Sequence, residues 1–341
     1  MASEARILEV PGPSGAREVR ISSPDRVLWP EPGITKFGLA EYLVAVGPQF
    51  VAANGHRPIS LQRFADGIDG EQFFSKNPPK GAPDYVHAVT VTYPSGRSHP
   101  QLVIDEPAVA VWAAQMNTVV FHPWASLASD PDNPDQLRID LDPQPGTDFA
   151  DAVPAALELR RVLDEAGLTA FVKTSGNRGI HVFAPIAARH EFLDVRHAVI
   201  AAARELERRM PDKVTTAWWK EERGTRVFVD FNQANRDRTM AGAYSPRALA
   251  HASVSTPITW DELPTIDPTS LTILTVPSRL ATVGDPWEHF SAAPGSIQPL
   301  LDWWERDLKN GLGELPFPPD FPKMPGEPPR VQPSKAKKPT G

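Results

Sequence analysis

Three carboxylates stand where apolar strands are expected to end. In Arg138-Ile139-Asp140-Leu141-Asp142-Pro143 the i, i+2 spacing on a strand turns Asp140 and Asp142 to one face, about 7 Å apart, within reach of a shared hard divalent cation. Such a pair repels itself unless a cation offsets the charge, although Asp before Pro also suits a strand running into a capping loop. A third carboxylate, Asp230, follows Arg226-Val227-Phe228-Val229, where Val227, Val229 and Phe231 face one way and Arg226, Phe228 and Asp230 the other. Carboxylates on separate strands are the ingredients of a two-metal site for in-line displacement at phosphorus.

Between these segments lies Lys173-Thr174-Ser175-Gly176-Asn177-Arg178-Gly179-Ile180-His181-Val182, read as strand, turn and strand. Two glycines let the backbone approach a ligand and leave Ser175, Asn177, Arg178 and His181 as donors, a turn suited to phosphate. A plain hairpin with a solvated polar tip fits the same residues. Arg236, Arg238 and Arg247 follow Asp230 within twenty residues, and guanidinium groups match the charge of a transferring triphosphate.

The elements that must position these residues are read from periodicity and punctuation. Thr35 to Asn54 predicts a helix, N-capped by Thr35 and kinked near Pro48; Arg57 to Phe64 alternates as a strand ahead of Phe73 and Phe74. Tyr85 to Ile104 reads as a hairpin closed near Pro94-Ser95-Gly96, Pro107 to Met116 as a short helix, and Ser129 to Asp135 as a loop. From Leu137 onward the order is strand, helix to Ala166 with Gly167 after it, hairpin, helix from Glu191 to Met210, and strand from Arg226 to Phe231. That order suits an α+β sheet with helices on one face. An amphipathic helix is expected near Ile297 to Leu308.

Composition bounds the rest. The 341 residues are 41% hydrophobic, enough for a large core, and contain no cysteine, which excludes disulfides, a thiol nucleophile and thiolate metal sites. No apolar run approaches the roughly 18 residues of a membrane helix, and the first residues lack a signal-peptide core; a cytoplasmic, nucleoid-associated protein with no membrane contact is expected. The net charge of −7 argues against coating nucleic acid by bulk electrostatics. Charge is uneven, however: 213–247 holds seven Lys or Arg against four acids, and 323–341 five against one. The Pro-rich end, 311–341, reads as a basic disordered tail behind a catalytic domain at 1–310.

Together, Asp140-Leu141-Asp142-Pro143, Ser175 to His181 and Val229-Asp230-Phe231 resemble the three motifs of the archaeo-eukaryotic primase superfamily. Ser23-Pro24-Asp25-Arg26-Val27-Leu28-Trp29-Pro30, Gly33-Ile34-Thr35-Lys36, Phe121-His122-Pro123-Trp124 and Ala243-Tyr244-Ser245-Pro246-Arg247 further resemble the polymerase domain of bacterial DNA ligase D, the match running from about residue 20 to 305. The resemblance implies a primase-polymerase fold, an α+β architecture with core sheets flanked by helices and the carboxylates in a central cleft. It implies that Asp140, Asp142 and Asp230 are catalytic and hold two divalent ions, Mn²⁺ or Mg²⁺. His122, Ser175, Arg178, His181, Gln233 and Arg247 would contact the NTP or dNTP or support the metals. Arg26, Lys36, Arg63, Phe73, Phe74 and Arg223 would meet DNA, the phenylalanines by stacking on bases and some cations by receiving a 5′-phosphate.

The activity so implied is template-directed addition of nucleotides to a primer 3′ end across short gaps or at double-strand breaks, with ribonucleotides accepted. Many ligase D polymerase domains carry Lys-Arg where this chain has Gln62-Arg63, a lost cation that should weaken 5′-phosphate recognition and shift the emphasis toward gap filling. The chain holds no nucleotidyl-lysine ligase motif, so sealing is expected from a separate ligase, with an end-binding protein as a further partner. Rival readings are a primase that starts chains de novo, a metal-dependent phosphoesterase, and a DNA-end-binding module with a vestigial site.

Overall fold

Leu137, Ile139 and Leu141 turn one way from the strand Gln136–Pro143 and are fully buried, while Arg138, Asp140 and Asp142 turn the other. This strand is central to the fold, of which the computed structural model describes residues 4–330. A six-stranded mixed sheet runs Val214–Thr215, Val227–Val229, Gln136–Pro143, Ile180–Pro185, Phe171–Thr174, Pro257–Ile258. Its first two strands are parallel and the other neighbours antiparallel. Register places Asp140 opposite His181 and His181 opposite Lys173, a polar row across three strands.

The apolar face of this sheet is covered by two long helices, Phe149–Glu165 and Phe192–Arg209. The first is held at its start by a capping box: Ala150 N donates to Asp148 Oδ1 and Asp148 N to Asp151 Oδ2, each at 2.9 Å. It ends before Gly167, whose φ of 75° is the left-handed conformation that stops a helix. The helix Gln298–Lys309 packs outside Phe192–Arg209.

A smaller antiparallel sheet, ordered Gln72–Ser75, Ile59–Phe64, Thr118–Pro123, forms the second half. Behind it lie Lys36–Ala45 and Gly47–Asn54, interrupted at Val46 ahead of Pro48, and the buried helix Pro107–Gln115. Thr35 Oγ1 accepts from Gly38 N at 3.2 Å, the cap read from the sequence. Arg138 stitches the halves together, donating to the carbonyls of Pro123 at 2.7 Å and Trp124 at 2.6 Å. Phe121 N donates to Ser245 Oγ at 2.9 Å. These ties carry His122 to the polar face of the large sheet.

One expectation is corrected. Residues 129–135 are not a plain loop, because Asp130–Pro134 pairs with Ser126–Leu127 across a bulge, an edge position where proline is tolerated. Residues 311–330, expected as part of the tail, form no helix or strand but are bonded to the body of the protein. A proline-rich backbone offers carbonyls that no neighbouring N–H claims, and arginines supply the donors: Arg204 to Gly313 O at 2.6 Å, Arg196 to Leu315 O at 2.9 Å, and Arg330 to Pro322 O at 2.6 Å. Glu314 accepts from Arg196 and from His197, and Phe317 is buried. The remainder of the expected tail, 331–341, lies outside the described residues.

Candidate active site

A cavity of about 260 Å³ opens over the polar row. Its walls include Asp140, Asp142 and all six residues expected at the nucleotide: His122, Ser175, Arg178, His181, Gln233 and Arg247. They come from both sheets and from the segment after Asp230, so the cavity exists only because the two halves are joined.

Asp140 is mostly buried, and its pKa is pushed up to about 8 by burial and then by the charges of Asp230 and Asp142. Asp230 is brought alongside by its backbone, its N–H donating to Asp140 O at 2.9 Å. The Asp230 carboxylate accepts from Asn232 N at 3.1 Å and from Gln233 Nε2 at 3.0 Å, and its pKa is also raised, by burial. Asp142 is exposed, with Gln144 Nε2 3.1 Å from its Oδ2. Among the described residues no three acidic or histidine side chains close into a ready cage for a metal ion. The donor set nonetheless fits a hard divalent cation in its chemistry: three oxygen-bearing acids, one of which burial and the neighbouring carboxylates leave protonated near neutrality.

The turn Ser175 to Gly179 is folded tightly on itself. Ser175 Oγ accepts from Asn177 N at 3.1 Å and Gly179 N at 3.0 Å. Gly176 has φ 73°, and a Cβ there would meet Arg247 Cγ at 2.6 Å and Ser255 N at 2.9 Å, so no other residue fits. Arg247 Nη1 in turn donates to Ser175 O at 2.7 Å. Arg178 projects from this turn into solvent at the cavity mouth.

Both histidines are held neutral. The His122 pKa is pushed down to about 3 by burial and the charges of Arg247 and Lys173, and that of His181 is driven well below its usual value by burial and then Lys173. His181 Nε2 lies 3.5 Å from Asp140 Oδ1.

Residues expected at DNA divide into two groups. Arg26 is exposed, and Phe73 and Phe74 are 42% and 58% exposed on an edge strand. Their side chains lie on opposite faces: Phe73 under the Arg63 guanidinium at 4.9 Å, Phe74 beside the His122 ring at 5.6 Å. Only Phe74 borders the cavity side. Lys36 is buried next to Arg26, with Nζ donating to Gln115 O at 3.2 Å and its pKa lowered to about 8 by that burial. Arg223 is largely buried as well, in the wall of a second cavity that it shares with Asp142, Arg178 and Lys220. It stacks on Phe228 at 3.4 Å and donates to Ala217 O at 3.0 Å and Trp218 O at 2.9 Å, bracing the loop beside Asp142.

Lys173, given no role from the sequence, is fully buried beside the cavity. The signal for it is a lone charged residue in the short strand Phe171–Thr174, which is otherwise uncharged.

An acidic cleft between two joined sheets, with helices behind each, is the architecture of a primase-polymerase. Residues 35–287 match the family model described as LigD, primase-polymerase domain. The multifunctional non-homologous end joining protein LigD of Pseudomonas aeruginosa is 32% identical over 86% of this chain and 35% of its own length; that of Mycolicibacterium smegmatis is 30% identical over 78% and 35%. A solved structure of the polymerase domain of Mycobacterium tuberculosis Ligase D in complex with DNA matches with a TM-score of 0.74 and 30% identity, over 81% of this chain and 99% of that one. The chain belongs to the LigD primase-polymerase domain family. It spans about a third of the length of the curated relatives it matches.

Proposed function

We propose that this chain is a template-directed nucleotidyltransferase that adds NTPs or dNTPs to a primer 3′ end across short gaps or at broken DNA ends. The observation that carries this reading is the convergence of Asp140, Asp142, Ser175, Arg178, His181, Gln233 and Arg247 on one cavity, with Phe74 packed beside His122 of its wall. Asp140, Asp142 and Asp230 would hold Mg²⁺ or Mn²⁺, which when bound supplies Lewis acidity to the primer hydroxyl and the triphosphate.

The chain's own groups do the rest. Arg178, exposed at the mouth, and Arg247, fixed against the turn, set positive potential where a triphosphate would lie. Neutral His122 and His181 offer hydrogen bonds without adding charge. Exposed Phe74 presents an aromatic face to an unpaired base. Sealing the remaining nick is a different chemistry, assigned to another domain or protein, and holding two broken ends together is assigned to an end-binding partner.

The test is extension of a labelled primer across one- to three-nucleotide gaps, with and without a downstream 5′-phosphate, by the native protein and by Asp140→Ala/Asp142→Ala. Extension by the native protein alone is expected. No extension from either, with DNA binding intact, would overturn the reading in favour of a recruitment module.

A further inference from the structure

Lys173 is wholly buried, and the three partners of its Nζ are a ring nitrogen, a carbonyl and a hydroxyl: His181 Nδ1 at 2.7 Å, Ala241 O at 2.8 Å, and Ser255 Oγ. An ammonium buried without a carboxylate against it is costly. A methionine would fill the same volume without that cost, so packing alone does not account for a lysine here. Its location does. It sits opposite His181 in the sheet, one strand further from Asp140, and its contacts tie together His181, the cavity-lining segment at Ala241 and the strand Val254–Ser255.

The donor arithmetic is restrictive. Burial and the charges of Arg247 and Arg138 push the Lys173 pKa well below its usual value; as an ammonium Lys173 donates and does not accept, and His181 Nδ1 is then the acceptor. A neutral imidazole that accepts at Nδ1 carries its proton on Nε2, the atom 3.5 Å from Asp140 Oδ1 at the cavity wall. Ser255 Oγ gives its own proton to Thr174 O at 2.8 Å, which leaves its lone pair for Lys173. Every hydrogen on Nζ is thereby assigned, and the lysine is held in one rotamer.

We propose that Lys173 is a positioning residue that fixes His181 in the Nε2–H tautomer, so that the imidazole presents a donor to the anionic oxygens of a nucleoside triphosphate in the cavity. The triphosphate clause rests on the function proposed above; the tautomer clause does not. Without Lys173 the ring is free to carry its proton on Nδ1, turning the Nε2 lone pair toward the cavity, where it repels the phosphate oxygens.

The experiment reads the two clauses separately. Nitrogen-15 NMR of ring-labelled histidine, assigned through His181→Gln, reports the His181 tautomer in the native protein and in Lys173→Met. Titration with a nonhydrolysable nucleoside triphosphate gives affinity for the same proteins. Nε2–H in the native protein, its loss in Lys173→Met, and a tenfold or greater fall in triphosphate affinity are expected. In the His181→Gln background, where an amide replaces the ring donor, Lys173→Met should cost less than threefold further, which a lysine acting only through packing would not produce. Nδ1–H in the native protein overturns the proposal even if Lys173→Met fails to fold, and so does an unchanged tautomer in a folded Lys173→Met. Should the native protein bind no triphosphate while the tautomers behave as stated, the functional reading fails and the positioning of His181 by Lys173 stands.

Discussion

His122 Nε2 lies 3.1 Å from Gln62 Oε1, and the amide of the same glutamine donates to Gln72 on the edge strand. One side chain thus connects the cavity wall to the strand that bears Phe73 and Phe74. Leucine at position 62 keeps the bulk and removes both bonds, leaving a buried imidazole nitrogen unpaired at a cost of about 1–3 kcal/mol. Gln62→Leu is expected to raise the nucleotide KM about tenfold with primer-template affinity unchanged. An unaltered KM in gap-filling kinetics would mean that packing alone holds His122.

The opposite orientations of Phe73 and Phe74 predict unequal roles. Phe74 borders the cavity through His122, whereas Phe73 is covered on one side by Arg63 on the far face of the sheet. Removing an aromatic platform costs about 1–3 kcal/mol per stacked base. Phe74→Ala should therefore lower templated insertion by roughly tenfold or more, and Phe73→Ala by less than half as much on a logarithmic scale. Equal losses in a single-nucleotide insertion assay would show that DNA contacts both faces of this edge strand.

The site was legible where periodicity governs. Alternation put Asp140 and Asp142 on one face and Asp230 on the side of Phe228, and the glycines of 176 and 179 marked a turn that no larger residue could make. What was not legible depends on distant partners. Lys173 is identified as buried only once strands 180–185 and 254–255 and residue 241 surround it. Arg223 reads as a surface cation until the loop 217–224 folds it onto Phe228. The N-terminal hairpin, Arg6–Val10 with Arg17–Ile21, escaped because charges dominate its sequence and few of its side chains, Val10, Val19 and Ile21, are buried. In 311–330 the contacts to the body of the protein are arginine-to-carbonyl bonds, which hydrophobic periodicity does not register.

The raised pKa of Asp140 makes the stability of the metal-free protein depend on pH. Unfolded, this carboxyl ionises near the usual 3.8; folded, burial and the charges of Asp230 and Asp142 move it to about 8. Between those values the folded chain keeps a proton that the unfolded chain has lost, so stability falls as pH rises through that window. Asp140→Asn removes the dependence while abolishing extension. In chelator, the Tm of Asp140→Asn minus that of the native protein should grow from pH 5 to pH 8. A constant difference across that range would mean that Asp140 is already ionised in the folded protein.

The segment 312–330 is expected to support the site from behind rather than to trail from it. Asn232, whose N–H is bonded to the Asp230 carboxylate, donates through Nδ2 to Pro316 O at 3.1 Å, and the Arg196 guanidinium lies 3.9 Å from the Phe317 ring while also bonding Glu314. Phe317 is 1% exposed, and truncating a phenylalanine so buried costs about 3–5 kcal/mol. Phe317→Ala should lower the denaturation midpoint accordingly and, because the turn holding Asp230 loses its backing, reduce extension at temperatures where the protein remains folded. If urea unfolding shows less than about 1 kcal/mol of destabilisation, this segment does not pack against Arg196 and Asn232 in solution, and the disorder expected from its composition is the better description.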